Sequence, residues 1–243
     1  MVASISVVIA VYNGSDYIEQ QLRSILCQIG DSDEVILVDD FSSDETLELV
    51  AAMGDIRVRI FRNFTNIGVQ RSFEKAIGLA SGDIIFLSDQ DDVWMDGKVD
   101  RVMSELQVCD LVVTDCKVVD ANLNLLYPSL FEIINPKMGV IRNLIKNSYT
   151  GCCMAFNRKI LDKALPFPKD IPMHDWWIGL IGEIIGSVKF INDPYLLYRR
   201  HGKNASTLSE ASNFSTYKRI IFRWIMLKNL FIRFVIQSSV REV

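Results

Sequence analysis

The chain predicts an α/β fold: a doubly wound, mostly parallel central sheet with flanking helices and a C-terminal helical extension. Three observations carry that expectation. Over residues 5–88, short β-branched runs alternate with segments whose apolar residues recur at helical spacing. Successive runs end in a polar signature, first Tyr12-Asn13, then Asp39-Asp40, then the acidic run 89–92. With 49% hydrophobic and 23% charged residues in 243, the chain has the apolar content to cover both faces of such a sheet. Strands of a parallel sheet joined by right-handed crossovers end at one edge, and open sheets bind ligands at that edge.

Residues 5–11 form the first strand, which stops at Tyr12-Asn13-Gly14, and residues 17–27 place Ile18, Leu22, Ile25 and Leu26 on one helical face. A second strand over 34–38 ends at Asp39-Asp40. Ser42, Ser43, Asp44 and Glu45 then supply the capping hydroxyls and acids of a helix start. A third strand spans 58–61, a polar loop 63–68 and a helix 72–80, which delivers the chain to a buried strand at 84–87. Residues 98–106 read as a helix. Two strands are expected at 111–114 and 116–119 with Asp115 between, an irregular stretch at 128–136, a short helix at 141–146 and a strand at 151–157. Pro166, Pro168 and Pro172 break the chain before His174-Asp175-Trp176-Trp177, after which 178–185 suits a buried helix. Two short strands, 187–191 and 195–198, precede a polar stretch at 199–206.

The acidic run is the point of greatest chemical interest. Asp89, Asp91 and Asp92 repel one another, so their clustering calls for a cation or a polyhydroxyl ligand. Oxygen ligands favour Mg²⁺ or Mn²⁺ over zinc or copper. Residues two apart on an extended segment point the same way, so Asp89 and Asp91, spaced by Gln90, are able to share one ion.

The net charge of −4 gives no reason to expect a nucleic-acid partner. It is unevenly spread: from residue 213 onward Lys218, Arg219, Arg223, Lys228, Arg233 and Arg241 face Glu242 alone, which makes the tail +5 and the rest −9. That tail is apolar between its charges but has no uninterrupted run of about twenty residues that could span a bilayer. A basic amphipathic helix there suits an anionic membrane surface; packing on its own sheet, or on a partner as in a homodimer, is the alternative. Five cysteines with no CxxC pair read as reduced thiols of a cytoplasmic protein, and the apolar N-terminus lacks a basic leader and cleavage site.

The segments SVVIAVYNG, EVILVDDFSSDET, NIGVQRSFEKAIGLASGD and FLSDQDDVW, followed by TGCCMAF, MHDWW and YRRHGKN, together resemble family 2 glycosyltransferases of the GT-A fold. The LSDQDDVW, HDWW and YRRHG trio is most similar to the rhamnosyltransferase-like subgroup. The likeness runs in order to about residue 206. It implies a donor-binding half at 1–107, an acceptor-binding and catalytic half of the same domain at 108–212, and a separate tail at 213–243.

The resemblance also implies roles. Ala10, Val11, Tyr12 and Asn13 would line the base and ribose, and Asp39 or Asp40 would accept the N3–H of uracil or thymine. Asn66, Gly68 and Arg71 would follow the nucleotide, Arg71 near the phosphates, with Gln90 beside the donor. Asp89 would hold the ribose or a water on the metal, Asp91 the Mn²⁺ or Mg²⁺ itself, and His201 would be a further metal ligand. Asp92 would fix the loop. Asp175 would be the general base for inverting transfer, or cap the helix that follows, or both; one of Trp176 and Trp177 would pack and the other stack on a sugar. The expected partners are a UDP- or dTDP-sugar donor and a glycan or lipid-linked glycan acceptor, with peripheral contact at the inner face of the cell membrane. A metal-dependent phosphatase or nucleotidyltransferase fits less well, because no Asp pair or phosphate-binding Gly-rich loop follows the first strand. A non-catalytic nucleotide-sugar module or accessory subunit is the remaining alternative.

Overall fold

The structure, a computed structural model, describes residues 3–202 and 215–236; Lys203 and Asn204 of the YRRHGKN run, the end of the polar stretch at 199–206, and Arg241 and Glu242 of the tail lie outside them. The first half has three strand–helix units and a fourth strand: β1 (Ile5–Val11), α1 (Ile18–Leu26), β2 (Glu34–Asp39), α2 (Thr46–Ala52), β3 (Val58–Arg62), α3 (Val69–Leu79) and β4 (Ile84–Ser88). Pairing is parallel throughout, in the order β3-β2-β1-β4. The apolar runs of β1, β2 and β4 are buried on both faces, as a sheet covered by crossover helices requires. Val11 lies opposite Asp39 and Ile9 opposite Ser88, so residues 12, 40 and 89 leave the sheet along one edge.

The second half makes the sheet mixed. It runs through β5 (Val93–Trp94), α4 (Lys98–Glu105), β6 (Leu111–Val119), β7 (Leu125–Tyr127), α5 (Leu130–Ile134), α6 (Val140–Ile145), a 3₁₀ turn Gly151–Cys153, β8 (Met154–Asn157), α7 (Arg158–Ala164), α8 (His174–Ile185), β9 (Val188–Arg199) and α9 (Thr216–Phe231), which closes in a π turn, Ile232–Ile236. β8 enters antiparallel between β4 and β6, and β9 runs parallel to β6. One hydrophobic core underlies both halves.

Several local expectations change: of the strand expected at 151–157 only Met154–Asn157 is extended, after the 3₁₀ turn Gly151–Cys153. Residues 111–119 form one strand rather than two, because the buried Asp115 carboxylate accepts from its neighbour's Cys116 N at 2.7 Å and from Phe131 N at 2.9 Å. Residues 188–199 likewise form one strand, with the irregularity near Pro194 absorbed as a register shift against Asp115. Within the stretch read as irregular, Ser129 caps α5, its Oγ accepting from Glu132 N at 3.1 Å. Finally, α8 starts at His174 itself, so Asp175 occupies its first turn.

α8 docks closely on the segment before β8. A Cβ placed on Gly179 would lie 2.3 Å from the buried Tyr149 ring, whose hydroxyl donates to Glu183 Oε1 at 2.9 Å. Gly179→Ala is therefore expected to cost about 2 kcal/mol or more through overpacking. That corresponds to a fall in Tm of roughly 5 °C for a chain of this size. An unchanged Tm in a thermal melt would mean that the Tyr149 ring yields without loss of packing.

Candidate active site

The convergent strand ends enclose a cleft of about 270 Å³. One side of it begins where β1 ends. Tyr12 N donates to Gln90 Oε1 at 2.7 Å, and Gln90 Nε2 returns a bond to Tyr12 O at 3.3 Å, so the Gln90 amide clamps the first loop to the acidic run. Ala10, Val11, Tyr12 and Gln90 all line the cleft. Asn13 does not: at φ 48° it turns back, and its Oδ1 accepts from Ser43 N at 2.9 Å, tying the first loop to the second.

The structure separates the two acids that follow β2. Asp39 is fully buried behind the cleft, accepting from Ser42 N at 3.2 Å and lying 3.2 Å from Arg62 Nε. Asp40 faces the cleft. Its Oδ1 accepts from Asn63 Nδ2 at 2.9 Å and Ile67 N at 2.8 Å, and its Oδ2 from Gly68 N at 2.8 Å. Asp40 thereby holds the 66–68 loop, in which Gly68 adopts φ 88° and Asn66 borders the cleft. Arg71 stands outside it. In the first turn of α3, its guanidinium is drawn to Glu74 and to the carbonyls of Phe167 at 3.2 Å and Pro168 at 3.4 Å.

At the centre lie Asp89 and Asp91. Burial first, then the nearby charges of Asp91 and Asp175, push the Asp89 carboxyl up to about 7. Asp91 Oδ2 is 2.8 Å from His201 Nε2, an encounter made possible because β9 ends beside the acidic run: Arg199 Nε donates to Asp91 O at 2.7 Å, and Arg199 N to Asp92 Oδ1 at 2.9 Å. Asp92 is fully buried, and its Oδ2 has no hydrogen-bond partner. Potential ligand atoms of Asp89, Asp92 and Cys152 lie within 4.8 Å of one another.

This arrangement fits a divalent cation. Asp40, Asp89, Asp91 and Asp175 all line the cleft, and among the described residues no Lys or Arg does. Carboxylate oxygens with one imidazole suit Mn²⁺ or Mg²⁺, whereas a diphosphate entering such a cleft alone would be repelled.

Opposite the acidic run, α8 and the 3₁₀ turn form the other wall. Asp175, 8% exposed, accepts from Trp176 N at 2.6 Å, and a Cβ on Gly151 would lie 3.9 Å from Asp175 Oδ2. Burial raises its pKa to about 6, against the opposing pull of backbone hydrogen bonds from Trp176 and Gly151. Both tryptophans are anchored by carbonyls: Trp176 Nε1 donates to Asn143 O at 2.8 Å, and the fully buried Trp177 Nε1 to Ala164 O at 2.9 Å.

His174 borders the cleft as well, although no motif points to it. It is 4% exposed and stacked on Phe73 with ring centroids 4.3 Å apart, and neither ring nitrogen has a hydrogen-bond partner. Burial lowers its pKa to about 4, so the ring is neutral at pH 7. Nothing in the order of residues around HDWW signals an unsatisfied imidazole; that emerges only from its packing.

Residues 6–165 match the model of glycosyl transferase family 2. The chain belongs to that family. Among curated relatives, this family 2 chain is 26% identical over 229 residues to the dTDP-rhamnosyl transferase RfbG of Shigella flexneri, covering 87% of this chain and 77% of that one. It is 26% identical over 189 residues to the UDP-Glc:alpha-D-GlcNAc-diphosphoundecaprenol beta-1,3-glucosyltransferase WfgD of Escherichia coli, covering 72% and 68%. The crystal structure of S. aureus TarS 1–349 in complex with UDP-GlcNAc superposes with a TM-score of 0.71 at 19% identity, over 93% of this chain and 67% of that one, a likeness of the GT-A fold. The family 2 chain spans 66% of an uncharacterized glycosyltransferase of Nostoc and 60% of TarS 1–349 without ligand. Among the described residues, no helix is long and apolar enough to cross a membrane.

Proposed function

We propose that this protein is a metal-dependent, inverting glycosyltransferase that moves a sugar from a UDP or dTDP donor to a hydroxyl of a cell-surface glycan intermediate. The observation that carries the reading is the pairing of a buried carboxylate, Asp175, with the Asp89–Asp91 cluster across one cleft. The names of RfbG and WfgD support a nucleotide-sugar donor, and dTDP-rhamnose is the narrower choice by similarity to RfbG. WfgD's lipid diphosphate acceptor supports a lipid-linked acceptor here.

On this reading Ala10, Val11 and Tyr12 border the base and ribose. Asp40 is the base-recognising acid. A carboxylate offers about four lone-pair directions, and the three bonds Asp40 already accepts leave one on Oδ2 for a ring N–H, which uracil and thymine possess and cytosine lacks. Asp91 and His201, with Asp89, would hold Mn²⁺ or Mg²⁺. Such a cation supplies positive charge to a departing diphosphate. Asp175 takes the proton from the acceptor hydroxyl as that oxygen attacks the anomeric carbon from the face opposite the leaving group, giving inversion.

Titration calorimetry with UDP and dTDP, each with and without Mn²⁺ and with GDP and CMP as controls, tests the site. Binding of a uracil or thymine nucleotide that requires Mn²⁺ is expected. If no nucleotide binds under either condition, the accessory-subunit reading takes its place.

A further inference from the structure

α9 has apolar residues on two opposite faces. The inner one, with Met226 and Leu230, is buried against the body of the protein and is pinned by Arg233, whose Nη1 donates to Lys163 O at 2.7 Å and Leu165 O at 2.8 Å. The outer one is a stripe of Tyr217, Ile220, Trp224, Leu227 and Phe231, each half or more exposed, Trp224 at 66%. Spacings of three and four residues put all five on one side of the helix. A helix apolar on both sides is one that is covered on both sides.

α6 adjoins this helix. Arg223 Nε donates to Ile145 O at 3.2 Å, and α6 exposes Ile141, at 75%, and Ile145 while its Asn143 is buried. Among the described residues, the charges carried by these two helical segments have one sign. Arg142 and Lys146 on α6, and Lys218 and Arg219 on α9, are exposed; neither 139–147 nor 215–236 contains an Asp or Glu. The acids that border this group come from other segments: Glu183 Oε1 accepts from Gly139 N at 2.7 Å, and Asp170 lies 3.5 Å from Lys228.

We infer that α6 and α9 together form one docking face for an anionic lipid surface, with Ile141 and Ile145 entering the interface beside Trp224. Charge decides the occupant. A second copy docking the same face would set these cations against themselves, whereas anionic headgroups neutralise them while the stripe enters the acyl boundary. The inference adds α6 to the tail helix as a lipid-contact element. α6 is also tied to the catalytic wall, since Asn143 O accepts from Trp176 Nε1 at 2.8 Å and Gly139 N donates to Glu183 Oε1 at 2.7 Å, both partners on α8. A surface gripped by α6 thus holds the helix that carries Asp175 in a fixed attitude to the membrane.

Vesicle co-sedimentation and Trp224 fluorescence test this on the full chain. Binding to vesicles containing phosphatidylglycerol, weakened by salt and absent with phosphatidylcholine alone, is expected, with a blue shift from Trp224. Trp224→Glu/Leu227→Glu and, separately, Ile141→Glu should each lower the partition coefficient about tenfold or more. Ile56→Glu, at a 95% exposed apolar site on the loop before β3, should not lower it. Circular dichroism and the calorimetry above should be unchanged in all three, so a loss here is separable from failure of the donor site. Equal binding to neutral vesicles would overturn the choice of anionic lipid. Full binding by Ile141→Glu would overturn the part given to α6. A stable dimer in light scattering that Trp224→Glu/Leu227→Glu dissociates would make the face a self-interface instead.

Discussion

Asp175→Asn is expected to lower the rate of sugar transfer by roughly 10²–10⁴-fold while leaving Mn²⁺-dependent nucleotide binding intact, because general-base catalysis is worth about that much and Asn cannot take a proton. The wild-type rate carries a further signature. The carboxyl must be ionised to act, and burial has raised its pKa to about 6. With saturating Mn²⁺ and donor, which keep Asp89 ionised, transfer should therefore be near its plateau at pH 7, half-maximal near pH 6, and fall about tenfold per unit below that. In the Asn variant this limb disappears from the residual rate.

The stability consequence has the opposite sign, which makes the test clean. A carboxylate whose pKa is raised on folding contributes no stability at neutral pH; its ionisation opposes folding, increasingly as pH rises from the unfolded value near 4 through about 6. Asn retains an oxygen to accept from Trp176 N without that cost. The variant should melt at pH 7 no lower than wild type. A large drop in Tm accompanying the loss of transfer would identify Asp175 as a structural cap of α8 rather than a base.

The layout of the first half was legible because it depends on pattern alone. Three buried apolar runs that end in polar residues, joined by helices, leave a parallel sheet little choice, and its geometry then brings Tyr12, Asp40 and Asp89 to one edge without reference to any side-chain contact. The distinction between Asp39 and Asp40 was not legible. Adjacent residues leaving a strand point to opposite sides, and which side holds Arg62 and which the 66–68 loop depends on neighbours distant in sequence. The direction of Arg71 was not legible for a related reason: it follows Gly68, which lines the cleft, by three residues, but its guanidinium bonds toward 167–168. α5 could have been found, since Ser129 and Glu132 have capping-box spacing, although Pro128 and Pro136 made the segment read as irregular. His174 could not, because burial without a partner is a property of packing.

Asp91→Ala is expected to abolish most of the enhancement of nucleotide binding by Mn²⁺, raising the Kd measured with the metal by about 100-fold. Its effect without metal should be neutral or slightly favourable. Four carboxylates line the cleft, and among the described residues no Lys or Arg does, so removing one carboxylate relieves repulsion of a diphosphate in metal-free buffer. Two titrations of one variant thus move in opposite directions, which general unfolding of the site cannot produce. His201→Gln should reproduce the loss with Mn²⁺ in weaker form, since His201 Nε2 approaches the same Asp91 oxygen, Oδ2, at 2.8 Å. The competing arrangement is the deeper cluster of Asp89, Asp92 and Cys152. There the unpartnered Asp92 Oδ2 would be the decisive ligand, and Asp92→Asn, not Asp91→Ala, would erase the Mn²⁺ dependence. A full Mn²⁺ enhancement in Asp91→Ala together with its loss in Asp92→Asn would move the cation from the mouth of the cleft to its floor, and His201 would then be a partner of Asp91 alone.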